Sequence, residues 1–432
     1  MTQLSAGGSI VRDEFTVPWG DVPELTPPRR RYVQSHFAQR GLDASRLDDA
    51  SLRRVFSRLA RVEEYASHLF HNGHNWELDY ACLERRREGV EPVIDLWAAD
   101  WAARGLLPDL PGAGPRWPHG KRFALCLTHD MDTLRGDVLW NRLRSLRHYR
   151  AAPLHQQAIA AASTARALAR RLIPGRCPRD PLLSEWLAAE DQHGFRSSFF
   201  FLAQPLPEPD WEDSFDAYGD RVLFEGRKTT IREAMRQIAA AGWDVGLHGS
   251  SRSHASARLL AEERRIVSEA CGEPVLTIRQ HHLFFNARFT PAYQEQAGLR
   301  ADSSVGSNLR SGFRCGTGLP FFWYDLVEDR ELEILQAPLI IQDVALFRTL
   351  RMDADTALRH CTEILRQAAG LGAAVTILWH NNWYAVDDAF VVYRTLLEEA
   401  SSLGAWGCSL RELSDWWRQR RARLAGPKEV AE

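Results

Sequence analysis

Short apolar runs alternate with longer amphipathic stretches over most of this chain. The runs are RFALCLTHD (122–130), SSFFFLA (197–203), WDVGLHGS (243–250), VLTIRQHHLF (275–284) and AAVTILWHNN (373–382). Continuous apolar runs of this length, rather than strict alternation, predict strands covered on both faces. Between them LLSEWLAAEDQHG (182–194), TIREAMRQIAAAG (230–242) and TALRHCTEILRQAAGLG (356–372) carry helical spacing, and each closes on a glycine suited to a left-handed C-cap. Strand and helix in alternation predict a mainly parallel sheet of βα units, an α/β fold.

Residues 1–118 have a different texture. SLRRVFSRLARVEEYASHLF (51–70) sets Leu52, Val55, Phe56, Leu59, Val62 and Tyr65 at helical spacing, and EPVIDLWAADWAARGLL (91–107) predicts a second helix. The proline- and glycine-rich LPDLPGAGPRWPHG (107–120) reads as a boundary. The expected organisation is a mainly helical region over 1–118 and an α/β domain over 119–425. AIAAASTARALARRLIPGR (158–176) predicts a basic helix with a solvated face; a membrane or acidic partner is the lesser alternative.

Composition narrows the function classes. The chain has 432 residues, 45% of them hydrophobic, and a formal net charge of −2, so nothing global points to nucleic acid or an anionic membrane. Seven scattered cysteines without a C-x-x-C pair suggest neither a disulfide framework nor a zinc knuckle. The start, MTQLSAGGSIVRDEF, lacks a basic stretch followed by an apolar one, and no window approaches a membrane span. The expectation is a soluble, cytoplasmic protein with no nucleic-acid partner and no transmembrane segment.

The candidate chemistry lies where the runs end. In βα architectures the C-terminal ends of the strands carry the reactive groups. Strand alternation puts Thr128, Asp130 and Asp132 on one face and His129 and Met131 on the other. Adjacent carboxylates repel unless a cation or a proton lies between them. The next runs deliver His248 in step with Asp244 and Gly246, Arg279 in step with His281, and finally His380. A single D-x-D or histidine means little; their common location is what suggests a mononuclear hydrolytic site with mixed nitrogen and oxygen ligands, a base and an acid. HNGHNW (71–76) offers His71 and His74 at close spacing, but no strand end unites them with the others, so a structural or surface role is expected.

In order, LCLTHDMD, SSFFFL, GWDVGLHGS, IRQHHLFF, GLRADSSVG, GFRCGT and ILWHNN resemble the polysaccharide deacetylase family, carbohydrate esterases built on the NodB homology domain. The likeness is to the bacterial branch with T-H-D-x-D, G-L-H-x-S and W-H-N motifs, over residues 121–417. It implies a distorted (β/α)7-type barrel with its site at the C-terminal strand ends. It further implies Asp130 as general base, Asp132 and His248 as metal ligands, Arg279 as the cation pairing with the base, and His380 as the acid that protonates the leaving amine. The implied cofactor is a divalent metal ion; Asp and His ligation suits zinc, with cobalt, nickel or iron as alternatives.

One position departs from the pattern. Where the family places a third ligand, four residues after the first histidine, this chain has Arg252. His281 is the preferred substitute and His254 the alternative; Ser250 or water could complete a weaker site, or the site could hold no metal and no longer catalyse. Arg314, Asp302 and Trp379 are the expected substrate contacts; Phe321, Phe322, Trp323 and Tyr324 near Arg314 could face a sugar ring, but core packing is the expected use of most of them. The resemblance implies a metal-dependent hydrolase that removes an acetyl or similar small acyl group from the nitrogen of a small-molecule or lipid-linked amino sugar. A degenerate barrel that binds a carbohydrate or nucleotide sugar, and an amidase for another small C–N substrate, are the alternatives. The oligomeric state is left open.

Overall fold

The computed structural model describes residues 24–65, 90–132, 183–210, 213, 216–381 and 387–425. The 71–76 and 158–176 segments lie outside the described residues. Three helices precede the first strand among the described residues: α1 (Pro27–Arg40), α2 (Asp49–Leu59) and α3 (Val93–Ala103). The helix expected over 51–70 starts at an N-cap, with the Asp48 carboxylate accepting from the Ser51 amide at 2.7 Å. It ends earlier than expected, because Arg61 adopts a left-handed φ of 52° and starts a short 3₁₀ turn, Val62–Tyr65. Leu52, Val55, Phe56 and Leu59 are all buried, as their spacing requires.

The sheet-forming part runs β1 (Phe123–Asp130), α4 (Leu183–Asp191), β2 (Ser198–Leu202), β3 (Arg221–Phe224), β4 (Arg227–Thr230), α5 (Ile231–Ala240), β5 (Asp244–Gly249), α6 (Ala257–Cys271) and β6 (Thr277–Gln280). It continues through α7 (Thr290–Gln296), β7 (Ala301–Asp302), β8 (Phe321–Asp325), β9 (Arg330–Gln336), β10 (Leu339–Gln342), α8 (Ala354–Leu371), β11 (Ala374–Leu378), α9 (Asp387–Ser402), β12 (Ala405–Cys408) and α10 (Leu410–Leu424). The main sheet has the order β10-β11-β1-β2-β5-β6-β7-β9-β8, with β12 also pairing β1. Its neighbours are parallel except for β8 against β9.

The sheet curls into a half-barrel with helices around it. Strands β1 and β6 have β2 and β5 between them, so a flat sheet would separate them by about 14 Å. Yet Arg279 Nη2 of β6 lies 2.8 Å from Thr128 Oγ1 of β1. Inside the curl, Ala124, Cys126, Phe200, Ala301, Leu335, Ala374 and Cys408 form an apolar plug. Outside it, Phe123, Leu125 and Leu127 join the larger core between sheet and helices. The N-terminal helices share that core: Val33, Phe37, Phe56 and Trp101 cluster with Phe313, Tyr324 and Leu326. Polar contacts add to this, with Tyr32 Oη donating to the Phe322 carbonyl and Arg420 Nε to that of Gln39, each at 2.7 Å. Among the described residues no helix is long and apolar enough to cross a membrane.

Two expectations changed in detail. The run over 275–284 is a strand only to Gln280, because His282 and Leu283 take left-handed φ values of 56° and 59° and turn the chain. The sheet also gains an antiparallel β8, read from sequence only as an aromatic cluster, and β12 beside the first half of β1.

Gly246 shows how tightly the interior is filled, since a Cβ there would strike the Phe200 ring and sit 2.6 Å from Thr277 Oγ1. Gly246→Ala should therefore lower stability by about 1–3 kcal/mol in thermal unfolding. Gly370, exposed in α8 with nothing within 4 Å of its would-be Cβ, is the control. Gly370→Ala should be neutral or add about 0.5–1 kcal/mol.

Candidate metal and active site

Four strand ends supply the cluster. Asp130 is the last residue of β1 and Asp132 follows it; His248 lies on β5, Arg279 on β6 with His281 just beyond, and His380 just beyond β11. Three of these groups converge most closely: ligand atoms of Asp132, His248 and His281 lie within 4.8 Å of one another, the metal-capable group among the described residues.

The hydrogen bonds fix which way each ring presents itself. His248 Nδ1 lies 2.9 Å from the Arg279 carbonyl. A carbonyl only accepts, so Nδ1 carries the proton and Nε2 presents a lone pair. That Nε2 is 3.2 Å from Asp132 Oδ1, yet neither atom completes a hydrogen bond. His281 repeats the pattern, with Nδ1 3.0 Å from Asp213 Oδ1 and Nε2 3.7 Å from Asp132 Oδ1. Asp213 is itself held by the Ser251 amide and hydroxyl at 2.9 and 3.0 Å. Burial opposes charge on Asp132, but His248, His380 and His281 around it hold its carboxyl well below the usual range. Burial likewise opposes charge on His248, and Asp130 and Asp132 outweigh it, raising that imidazole's pKa.

The buried Asp130 keeps Oδ1 without a partner, while its Oδ2 lies 3.8 Å from His248 Nε2 and 3.9 Å from His380 Nε2. His380 is anchored at both ends of one carboxylate: its Nδ1 is 2.7 Å from Asp343 Oδ1 and its amide 2.6 Å from Asp343 Oδ2. Burial alone would lower the His380 pKa; Asp343 above all, then Asp132 and Asp130, pushes it up to about 10. A protonated imidazole and a carboxylate with an unused oxygen thus face one another across the cleft.

Arg279 departs from direct pairing with the base. Its fully buried guanidinium donates through Nη2 to Thr128 Oγ1 at 2.8 Å and Ser303 Oγ at 3.0 Å, while Nε and Nη1 have no hydrogen-bond partner. Burial lowers its pKa, and Asp130 is the foremost charge opposing that, so the cation acts on Asp130 through the field rather than an ion pair.

The remaining sequence candidates are spread more widely. Arg252 turns away to an exposed ion pair with Asp210 at 2.9 Å. His254 donates from Nδ1 to the Ser251 carbonyl at 2.9 Å, packs on Phe284, and burial pushes its pKa down to about 4. Ser250 is taken by Glu263, 2.5 Å from its hydroxyl. Arg314 is buried against Glu64, Nε to Oε1 at 3.2 Å, so its guanidinium serves the seam with the N-terminal region and corrects its expected role as a substrate contact. Trp379 requires the same correction: its side chain is fully buried beside Phe347 and Tyr393, because strand alternation turns it away from His380. Asp302, also buried, accepts from Gln294 Nε2 at 3.0 Å and the Ser304 amide at 2.8 Å and fixes the loop after β7.

Sequence reasoning missed Asp343 and Asp213. Asp343 follows the apolar run LIIQ of β10, the same signal that exposed Asp130. Asp213, in WEDSFD, follows no strand and carries no such signal.

The chain matches no protein-family profile, and no curated protein matches it. Solved structures do resemble it. A structure assigned as a polysaccharide deacetylase from Mycobacterium smegmatis shares 16% identity at a TM-score of 0.46, over 71% of this chain and 93% of that one. The structure of Puue allantoinase shares 14% identity at a TM-score of 0.44, over 72% and 97% of the two chains. One assigned as a polysaccharide deacetylase from Pseudomonas aeruginosa PAO1 shares 12% at a TM-score of 0.44, over 72% and 98%. The chemistry of the site therefore stands on its own residues.

Asp343 is the main support of the His380 proton. Asp343→Asn leaves burial, which lowers the pKa, against weaker opposition, so the imidazole should titrate well below 10. Histidine NMR titration of metal-free protein measures this directly, and an unmoved His380 would remove Asp343 from the account.

Proposed function

We propose that this protein is a metal-dependent hydrolase that removes an acetyl or similar small acyl group from the nitrogen of an amino sugar. One observation carries the reading: Asp132 Oδ1 and His248 Nε2 are buried, 3.2 Å apart, and neither has a hydrogen-bond partner. Two acceptor lone pairs left facing each other fit a cation between them. Asp132, His248 and His281 would hold that ion, and zinc suits such a donor set. When bound, a divalent ion polarises an acyl oxygen and acidifies water.

The chain's own residues do the rest. Asp130 takes a proton from the attacking water through its unpartnered Oδ1. Buried Arg279, whose charge Asp130 is the foremost group to support, places a positive field behind that carboxylate. His380, kept protonated by Asp343, gives its proton to the departing amine nitrogen. Asp213 and the Arg279 carbonyl keep the two histidine ligands in the tautomer that presents Nε2. The ordered motifs of the polysaccharide deacetylases supply the substrate class, an N-acylated amino sugar, small or lipid-linked.

Elemental analysis of the purified protein is the primary test. About one equivalent of a transition metal is expected, lost in Asp132→Ala and His248→Ala, with acetate released from N-acetyl sugars by the unaltered protein. No metal after reloading with zinc or cobalt would leave a barrel that binds without turnover.

The individual roles separate by variant. Asp130→Asn should keep the metal and lose at least about 100-fold in kcat, the scale of a general base. His281→Ala should cut metal content while His254→Ala leaves it intact. The opposite pattern would move the third ligand to the loop.

A further inference from the structure

Behind the cluster, on the helix side of β1, lies a buried ionisable pair that the proposed reaction does not use. His129 is 1% exposed and Glu190 of α4 is fully buried. Both ring nitrogens of His129 meet acceptors: Nδ1 is 2.9 Å from the Trp379 carbonyl and Nε2 is 2.8 Å from Glu190 Oε1. The carbonyl cannot donate, so Nδ1 carries a proton, and Nε2 faces the carboxylate, with Tyr393 Oη 3.3 Å away. Glu190 also accepts from Tyr393 Oη of α9 at 2.8 Å and from Trp243 Nε1 at 2.7 Å. The His129 ring stacks on Phe199, with centroids 4.8 Å apart and planes 24° from parallel. It has little freedom to turn.

The placement of the Trp379 bond matters more than the burial. The β1–β11 register ends at Thr128 opposite Leu378, followed by the Trp379 amide donating to the Thr128 carbonyl at 3.0 Å. Past that point the two chains open into the cleft, and the His129 side chain joins them at the Trp379 carbonyl. Asp130 is the next residue after His129, and His380 the next after Trp379. The tether therefore spans the peptide neighbours of the proposed base and acid, whose Oδ2 and Nε2 lie 3.9 Å apart.

We infer that His129, held by Glu190, is a positioning residue that fixes the spacing of Asp130 and His380 through its bond to the Trp379 carbonyl. The inference rests on the roles proposed for those two residues. It touches neither substrate nor metal. Removing it should loosen the geometry of the reacting groups while leaving both binding steps alone.

Two isosteric variants test it. In His129→Asn the amide nitrogen takes the place of Nδ1 and keeps the bond to Trp379; pairing it with Glu190→Gln avoids a stranded buried carboxylate. In His129→Gln the amide nitrogen takes the place of Nε2, keeping Glu190 paired and losing the tether. The expected result is a kcat within about threefold of the parent for His129→Asn/Glu190→Gln and at least about tenfold lower for His129→Gln, with KM and metal content the same in both. Equal kcat values, or the reverse order, would reduce His129 to a structural residue.

A second readout needs no turnover. In ¹⁵N-histidine-labelled protein the His380 ring signals should move in His129→Gln and stay in His129→Asn/Glu190→Gln. If the parent protein proves inactive but this pattern holds, the tether stands and the hydrolase reading fails. Should His380 be unmoved in both variants, the tether fails whatever the activity.

Discussion

The site depends on a commitment made at one nitrogen of each ring. Nδ1 of His248, His281 and His380 is bound to the Arg279 carbonyl, Asp213 and Asp343 respectively. With Nδ1 occupied, each ring can only turn Nε2 toward the cleft, and the carboxylates of Asp130 and Asp132 receive all three. An imidazole free to flip would serve equally as donor, acceptor or ligand. These acceptors remove the choice, and they lie on elements other than those carrying the histidines they hold.

That convergence is possible only because the sheet curls. From β11 to β6 the order passes through β1, β2 and β5, a flat distance of about 19 Å. His380 and His281, at those two strand ends, nevertheless both reach within 4 Å of Asp132. Small side chains make the tight interior feasible: Gly246 opposite Phe200, and Ala124, Ala301 and Ala374 within the plug. Packing at the closed end of the half-barrel and chemistry at its open end are thus one constraint, because β1 supplies both Cys126 to the plug and Asp130 to the cleft.

Much of this was legible in the sequence, for a physical reason. A strand that is apolar throughout and polar at its C-terminal end announces both its burial and its exit into solvent, which located Asp130, His248, Arg279 and His380. Alternation correctly turned His129 away from Asp130, and applied once more it would have turned Trp379 from His380. Arg314 misled because composition carries no direction: the same residue type that binds sugars also builds seams such as the one to Glu64. The turn after Gln280 was hidden because two residues other than glycine, His282 and Leu283, adopt left-handed backbone. Asp213 was invisible because its contribution is a tertiary contact from a loop without periodicity.

Charge gives an independent constraint on the site. Asp130, Asp132, Asp213 and Asp343 place four carboxylates around the cleft, against the cations of Arg279 and protonated His380. Burial raises the pKa of Asp302, whose carboxylate is engaged by Gln294 and Ser304. Two negative charges remain, in a region where an unmatched buried charge is costly. A divalent ion between Asp132, His248 and His281 would cancel them. Two of the same carboxylates, Asp130 and Asp132, outweigh burial and raise the pKa of His248, whose Nε2 faces Asp132 Oδ1 at 3.2 Å. Proton and metal thus compete for one lone pair, His248 Nε2, and the features that favour the proton on the metal-free site are those that would favour a cation in its place.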